Sequence, residues 1–406
     1  MGKTKKQKKW IRLRHKIITF LARGLVGTFT KIKYGLTVEK FAAQGKRQYV
    51  VLFNHQTALD QFIVGMAFKN PIYYVASEDL FSNGISSALI KYAVAPIPIR
   101  KQATDPRAVI NIMRVAKEGG TIALSPEGNR TFSGKTEYIN KALIPLLKKL
   151  GLPIALLRIE GGYGVHPRWS DVIRKGKMHA RVSRVVEPEE YKQMSADELF
   201  SVIEKELYVN EANAEHTYTH DKLAEYLERA IYVCPDCGLS TFESHGDLIT
   251  CKKCGKTVRY LPTTELEGVG CEFPFAFVND WYEYQCNFIN HLDVNAYNQT
   301  PMYEDTVRLT EVIPFKNKVL LGENTQVKLY GNRIEMQAEN GEVLTYPFDK
   351  VSAVTVLGKN KVNVYMDKRI YQMKGNERFN ALRYVNTYYR YKNLQKGDAN
   401  DKFLGL

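Results

Sequence analysis

The 406 residues correspond to two to four domains at about 100–200 residues each. A hydrophobic fraction of 44% and a charged fraction of 25% are those of a globular protein and exclude wholesale disorder or a fibre. The net charge of +15 is concentrated: residues 1–33 hold eight Lys, three Arg and no acid, which leaves 47 of the 58 basic residues against 43 acidic ones elsewhere. A nucleic-acid binder with charge spread over its fold is therefore not the expectation.

No run of about 18 uncharged apolar residues occurs, which argues against a simple transmembrane span. Arg23 interrupts the early apolar stretch, against a cleavable signal peptide, and Lys6 stands where N-myristoylation wants Ser or Thr. Six cysteines are too few for a disulfide scaffold, and four of them fall in metal-type pairs, so a reducing, cytoplasmic setting fits.

In chain order, the Lys-rich start (Lys3, Lys5, Lys6, Lys8, Lys9) leads into apolar residues at helical spacing: Trp10, Leu13, Ile17, Phe20/Leu21, Leu25, Phe29 and Ile32. Arg12, Lys16, Thr19 and Arg23 share the other face. The pattern predicts a basic amphipathic helix over 1–34 lying on an anionic membrane surface, at its cytoplasmic face. The plainer alternative is a helix that packs its apolar stripe on the next domain.

From 35 to 230 short apolar strands alternate with helical stretches, the pattern of an α/β domain. Strands are predicted at 48–53, 71–76, 121–125 and 153–159, and helices at 57–68, 106–118 and 136–150. Three polar groups sit at strand ends, where open α/β sheets bind ligands. The first is Asn54-His55-Gln56-Thr57-Ala58-Leu59-Asp60. On one ideal helix His55 and Asp60 would point about 140° apart. With His55 in a turn and Asp60 in the first helical turn they meet, and the carboxylate fixes the imidazole tautomer for general-base work. Thr57-x-x-Asp60 is also a capping-box pattern, with His55 a bystander. The second group is Ser125-Pro126-Glu127-Gly128-Asn129-Arg130, where Arg130 offers a planar fork to a phosphate, and Glu127 either holds that fork or meets substrate hydroxyls. The third is Pro96-Ile97-Pro98-Ile99-Arg100-Lys101, a strand ending in two cations.

Together these blocks resemble the phospholipid/glycerol acyltransferase family, typified by 1-acylglycerol-3-phosphate acyltransferase, over roughly 35–210. His55 and Asp60 match its His-x4-Asp, Arg100 its second block, Glu127-Gly128-Asn129-Arg130 its Glu-Gly-Thr-Arg, and Leu152-Pro153-Ile154-Ala155-Leu156 its fourth block. Asn129 stands for the usual Thr, and Ser125 for a common apolar residue. The resemblance implies a membrane-associated enzyme that moves a fatty acyl group from acyl-CoA or acyl carrier protein to the hydroxyl of a lysophospholipid, foremost 1-acylglycerol-3-phosphate. His55 would be the base and Asp60 its orienting partner, while Arg100, Glu127, Gly128 and Arg130 would bind the acceptor. A non-catalytic lipid- or partner-binding scaffold on the same fold is the competing class, with no need of His55, Asp60 and Arg130 together. No Gly-x-Ser-x-Gly appears, against a serine hydrolase.

Cys234-Pro-Asp-Cys237 and Cys251-Lys-Lys-Cys254 stand 13 residues apart, and Gly238 and Gly255 follow the pairs. This resembles a zinc ribbon over 231–262, a closed structural site for one zinc ion. Residues 263–302 look like an aromatic-rich connector. From 303 to 395 alternating segments with turn signals at Gly322-Glu-Asn324, Gly331-Asn332 and Asn340-Gly341 predict about seven strands, then a helix over 376–391. That layout, a β-barrel-like module with one helix, resembles a pleckstrin-homology or GRAM domain and leaves 396–406 as a tail.

Overall fold

The apolar run that ends in Phe53 forms the middle of a parallel sheet, in one of two units into which the chain divides. The computed structural model describes residues 9–100, 105–314, 316, 318–337, 341–397 and 404–405; Lys3, Lys5, Lys6, Lys8, Lys101, Asn340 and most of the predicted tail lie outside them. The first unit comprises Met1–Asn129, Ile139–Gly161 and Lys177–Val209, and the second Arg130–Tyr138, Gly162–Gly176 and Asn210–Leu406.

In the first unit the order is α1 (Leu13–Tyr34), β1 (Leu36–Val38), β2 (Val50–Phe53), α2 (Asp60–Ala67), β3 (Ile72–Ser77) and α3 (Ile85–Ala93). Then come β4 (Ile97–Ile99), α4 (Pro106–Lys117), β5 (Thr121–Leu124), α5 (Ile144–Leu150) and β6 (Ile154–Glu160). After the single turn α6 (Gly162–Val165), which belongs to the second unit, follow β7 (Met178–Val186), α7 (Pro188–Gln193) and α8 (Ala196–Leu207). The strands run β1-β7-β6-β2-β5-β3-β4, parallel except for β6 against β7. Val50 lies opposite Ile122 of β5 and Ile154 of β6. Val50, Val51 and Leu52 are wholly buried, as a strand covered on both faces must be, which explains its unbroken apolar sequence. Val50 and Leu52 pack with Leu147, Leu199 and Ile203 of α5 and α8, while Tyr73, Ile97 and Ile122 pack with Ile112 and Val115 of α4.

The helix expected over 136–150 begins only at Ile144, after a 3-10 turn at Lys141–Leu143. Asn140 starts that turn by accepting from the Ala142 N–H, and Pro145 is compatible only with a first helical turn. The amphipathic arm is a helix as expected, and it leaves its apolar stripe open, against the plainer alternative of packing that stripe on the next domain. His15, Thr30 and Tyr34 are buried, whereas Leu13, Phe20, Leu25 and Ile32 are 73–77% exposed. Gly27 allows the helix close against Met66 of α2, and Arg23 donates to the carbonyls of Lys69 and Asn70 at 2.6 and 2.9 Å. Trp10, expected on the apolar stripe, faces inward: its Nε1 donates to the Ala95 carbonyl and its backbone N–H to Glu118.

In the second unit β8 (Val233–Cys234) pairs with β9 (Gly238–Leu239). A four-stranded antiparallel sheet follows, made of β10 (Phe242–His245), β11 (Leu248–Cys251), β12 (Thr257–Tyr260) and β13 (Leu266–Gly268). The expected connector contains a helix, α9 (Val278–His291), which buries Val278, Trp281, Tyr282, Gln285 and Ile289 at helical spacing. Next come β14 (Tyr303–Glu311), β15 (Val319–Leu329), β16 (Arg333–Gln337), β17 (Val343–Pro347), β18 (Ala353–Leu357), β19 (Lys361–Met366), β20 (Arg369–Lys374) and α10 (Leu382–Lys396). These strands form an antiparallel half-barrel in the order β17-β16-β15-β14-β20-β19-β18. The turn expected at Gly322-Glu-Asn324 is instead inside β15, where a register shift against β14 takes up the irregularity. Helix α10 starts later than expected because Asn376 accepts from the Arg378 N–H and Asn380 from the Arg383 N–H, holding that stretch in turns. Cysteine hairpins, α9, half-barrel and α10 share one core, in which Tyr232, Trp281, Val327, Val354 and Leu382 are buried.

Candidate active site

His55 stands two residues past the end of β2, after Asn54, and Asp60 is the first residue of α2. The bend between them brings His55 Nδ1 to 2.7 Å from Asp60 Oδ2. Asp60 is wholly buried, while the His55 side chain is 25% exposed. The carboxylate also accepts from the N–H groups of Gln56 and Thr57, at 2.7 and 2.9 Å, and from the Thr57 hydroxyl at 2.7 Å. The His–Asp pair forms, but only half of the capping box does: Asp60 takes the Thr57 N–H, whereas the Thr57 hydroxyl accepts from the Leu59 N–H and α2 has no side-chain cap. With Nδ1 held by the carboxylate, the imidazole's tautomer and orientation are fixed.

Strands β2 and β5 are parallel neighbours, so the turn after β5 lies beside the turn after β2. That turn is closed by the Gly128 N–H donating to the Ser125 carbonyl, with Gly128 at φ +69°, a conformation that favours glycine. It carries Glu127 to His55, whose backbone N–H donates to Glu127 Oε1 at 2.7 Å. Asn54 stitches the same bend to β6: its Oδ1 accepts from the Ile159 N–H and its Nδ2 donates to the Ile159 carbonyl.

Arg100, after β4, has a different partner, Glu78 after β3, with Nε to Oε2 at 3.6 Å. Glu78 is 3% exposed. Burial, then the neighbouring Asp79, push its carboxyl up to about 7, with Arg100 opposing and Asp105 adding to the rise. The Arg100 N–H is held by Asp105. Arg130 is the first residue of the second unit, where its carbonyl accepts from Arg168 Nη1 at 2.7 Å. Of the expected site residues in the first unit, the structure brings His55, Asp60 and Glu127 into direct contact and gives Arg100 a buried acid.

The four expected metal ligands converge. Sulfur atoms of Cys234, Cys237, Cys251 and Cys254 all lie within 4.8 Å of one another, with Cys234–Cys254 and Cys237–Cys251 at 3.6 Å. Zinc–sulfur bonds of about 2.3 Å at tetrahedral angles place sulfurs about 3.8 Å apart, so the four cysteines could hold one metal ion.

The Acyltransferase family model matches residues 35–159. This segment contains His55, Asp60, Arg100, Glu127, Gly128 and Arg130, but none of the cysteines. Among curated proteins, the chain is 28% identical over 115 residues to a 1-acyl-sn-glycerol-3-phosphate acyltransferase of Borreliella burgdorferi, covering 27% of this chain and 46% of that protein. It is 29% identical over 153 residues to a 3-methyl-2-oxobutanoate hydroxymethyltransferase of Pseudothermotoga lettingae, covering 32% and 57%. The chain thus spans about half the length of the curated relatives it matches. Among solved structures, the 1-acyl-sn-glycerophosphate acyltransferase of Thermotoga maritima is 24% identical, covering 48% of this chain and 80% of that one at a TM-score of 0.39.

Within the acyltransferase-matching segment, sequence reasoning named Asn54 without giving it a role and missed Glu78 and Asp79. Asn54 sits next to the histidine it supports. The Glu78-Asp79 pair directly follows an apolar strand, a strand-end signal of the kind used for the other three blocks.

Proposed function

We propose that the chain is an O-acyltransferase that transfers a fatty acyl group from acyl-CoA or acyl carrier protein to a lysophospholipid hydroxyl, foremost that of 1-acylglycerol-3-phosphate. The observation that carries this reading is the 2.7 Å contact between His55 Nδ1 and the buried Asp60 carboxylate. His55 Nε2 removes the hydroxyl proton as the oxygen attacks the thioester carbonyl. The tetrahedral intermediate then collapses, the C–S bond breaks, and the thiolate leaves with the proton returned by His55. Glu127 holds the His55 backbone in the bend, and Arg100 and Arg130 bind the acceptor phosphate. No nucleophile of the protein is required.

The same proposal places the chain at the cytoplasmic face of an anionic membrane, through the exposed stripe of α1 and the neighbouring α3, where Ile85, Leu89 and Tyr92 are exposed. Arg14 joins the two helices, donating to the Tyr92 carbonyl and covering its ring. Among the described residues no helix is long and apolar enough to cross a membrane. The cysteine cluster is assigned to one structural zinc ion, whose chemistry is to tie two hairpins together.

The test is acyl transfer by purified protein, with labelled acyl-CoA and acyl carrier protein donors and a panel of lysolipids, products being resolved by chromatography. Transfer to phosphate-bearing acceptors that Arg130→Ala weakens far more than transfer to an uncharged glycerol acceptor supports the reading. No transfer to any acceptor from either donor overturns it.

A further inference from the structure

Strands β2, β5, β3 and β4 are successive parallel neighbours, so the bends that follow them line one edge of the sheet in the order His55, Glu127, Glu78 and Arg100. Ser77 lies directly opposite Ile99, which makes Glu78 and Arg100 the first residues past a matched pair. At about 4.8 Å per strand, Arg100 starts roughly 14 Å from the strand that carries His55, and Glu78 starts one spacing nearer.

Both residues are tied down at the backbone. The Arg100 N–H donates to Asp105 Oδ2 at 3.1 Å, while Asp105 Oδ1 caps α4 by accepting from the Arg107 and Ala108 N–H groups. Glu78 opens a 3-10 turn, Glu78–Phe81. Ser77 Oγ pins that turn at Asp79, Asn83 Nδ2 at the Asp79 carbonyl and Ser87 Oγ at the Leu80 carbonyl. The two side chains then meet on one edge of the guanidinium, with Arg100 Nε 3.6 Å from Glu78 Oε2. Among the described residues nothing occupies the Nη end of Arg100, whose side chain is 56% exposed. Stability alone argues against an acid at this place. Glu78 is 3% exposed and adjoins Asp79, and a partner that stands mostly in water does not offset the cost of burying a carboxylate.

We propose that Glu78 is a positioning residue that turns the Arg100 guanidinium over β3 towards His55, so that its Nη groups take the acceptor phosphate. The phosphate and the nearest hydroxyl of a glycerol phosphate are only a few bonds apart. A guanidinium standing straight out over β4 would therefore hold the phosphate too far off for that hydroxyl to reach His55. The carboxylate on the Nε edge and the phosphate on the Nη end use different sides of one planar cation, so both are satisfied together. The identity of the acceptor rests on the acyl-transfer reading; the place of its phosphate rests on Glu78.

The full-length chain and its Glu78→Ala, Glu78→Gln and Arg100→Ala variants are compared with one acyl donor on two acceptors, 1-acylglycerol-3-phosphate and an uncharged monoacylglycerol. Glu78→Ala should raise KM for the phosphate acceptor at least about fivefold and change kcat by no more than about twofold, because the phosphate must then order Arg100 itself. Monoacylglycerol kinetics should not move. Glu78→Gln keeps an oxygen for Nε and should recover part of the loss, and neither change should matter in an Arg100→Ala background. Equal losses on both acceptors, or losses that add to that of Arg100→Ala, show a structural role and overturn the proposal. An unchanged or lower KM overturns it too. Where Glu78→Ala does not fold, Glu78→Gln, which keeps the size of the side chain, decides by the same criteria. Calorimetric titration with glycerol 3-phosphate separates positioning from acyl transfer. Wild type that transfers no acyl group but binds this probe more tightly than the Glu78 variants removes the acyl-transfer reading and keeps the positioning role. Wild-type transfer that the Glu78 variants leave untouched does the reverse, and a wild type that neither transfers nor binds the probe overturns both.

Discussion

At the residue scale the candidate chemistry depends on one buried carboxylate that does two jobs. Asp60 closes the bend before α2 and orients His55, so its removal acts on both geometry and tautomer. His55→Ala is expected to lower turnover by at least about 100-fold, the usual worth of general-base catalysis, with the folded state retained by circular dichroism. Asp60→Asn should be comparably severe, because the amide no longer accepts from all four neighbouring donors. Glu127 acts through the His55 backbone N–H, which gives its variants a distinctive order. Glu127→Gln keeps an acceptor and should retain most of kcat, whereas Glu127→Ala should lower kcat more than it raises KM. Glu78 predicts a pH dependence of stability. The native state keeps its proton up to about pH 7, whereas an unfolded chain releases it near 4.5. The native state therefore binds more protons across that window, and stability falls as pH rises through it. Glu78→Gln should remove that slope and leave the protein on the order of 1–3 kcal/mol more stable than wild type at pH 8, with little difference at pH 4.5. The ion pair it loses is with the half-exposed Arg100, a bond worth at most about 1 kcal/mol. Urea unfolding at the two pH values decides it.

At the element scale α1 is the informative case. A helix packed for stability alone buries its apolar stripe; this one buries His15, Thr30 and Tyr34 and leaves Leu21 and Leu25 59% and 77% exposed. Leu21→Ser/Leu25→Ser should thus change unfolding free energy by no more than about 0.5 kcal/mol per site, the range of ordinary surface substitutions. The same change should sharply reduce flotation with anionic vesicles. Salt should release the wild-type protein only in part, because screening to a Debye length under about 10 Å weakens the basic side chains but not apolar insertion. Full binding by the double variant would assign docking to another surface.

At the scale of the whole molecule the second unit has one core, and the cysteine hairpins are part of it through Cys234 and Cys251. Structural zinc sites in finger peptides contribute about 10–16 kcal/mol of apparent binding energy. Elemental analysis should accordingly find one zinc per chain, less after Cys234→Ser, and chelation should lower the melting temperature of the whole second unit rather than of a detached knuckle. Protein purified without chelator and free of zinc would refute the assignment.

How far each feature was legible follows from the distance over which it is decided. The strands β2, β3, β5 and β6, the His-x4-Asp bend and the paired cysteines are set within a few residues, by apolar runs, turn chemistry and ligand spacing, and sequence by itself determined them. Helix α9 was also written in the spacing of Val278, Trp281, Tyr282, Gln285 and Ile289, but its aromatic and Asn content masked the period. The remaining features required strand order. Asn54 meets Ile159 from 105 residues away, and Glu127 meets the His55 backbone across 72, because β2 is paired with both β6 and β5. Arg100 finds Glu78 because β3 and β4 are neighbours. The buried face of α1 was likewise a tertiary decision: periodicity specifies that a helix has two faces, and only the neighbour it packs against determines which of them meets solvent.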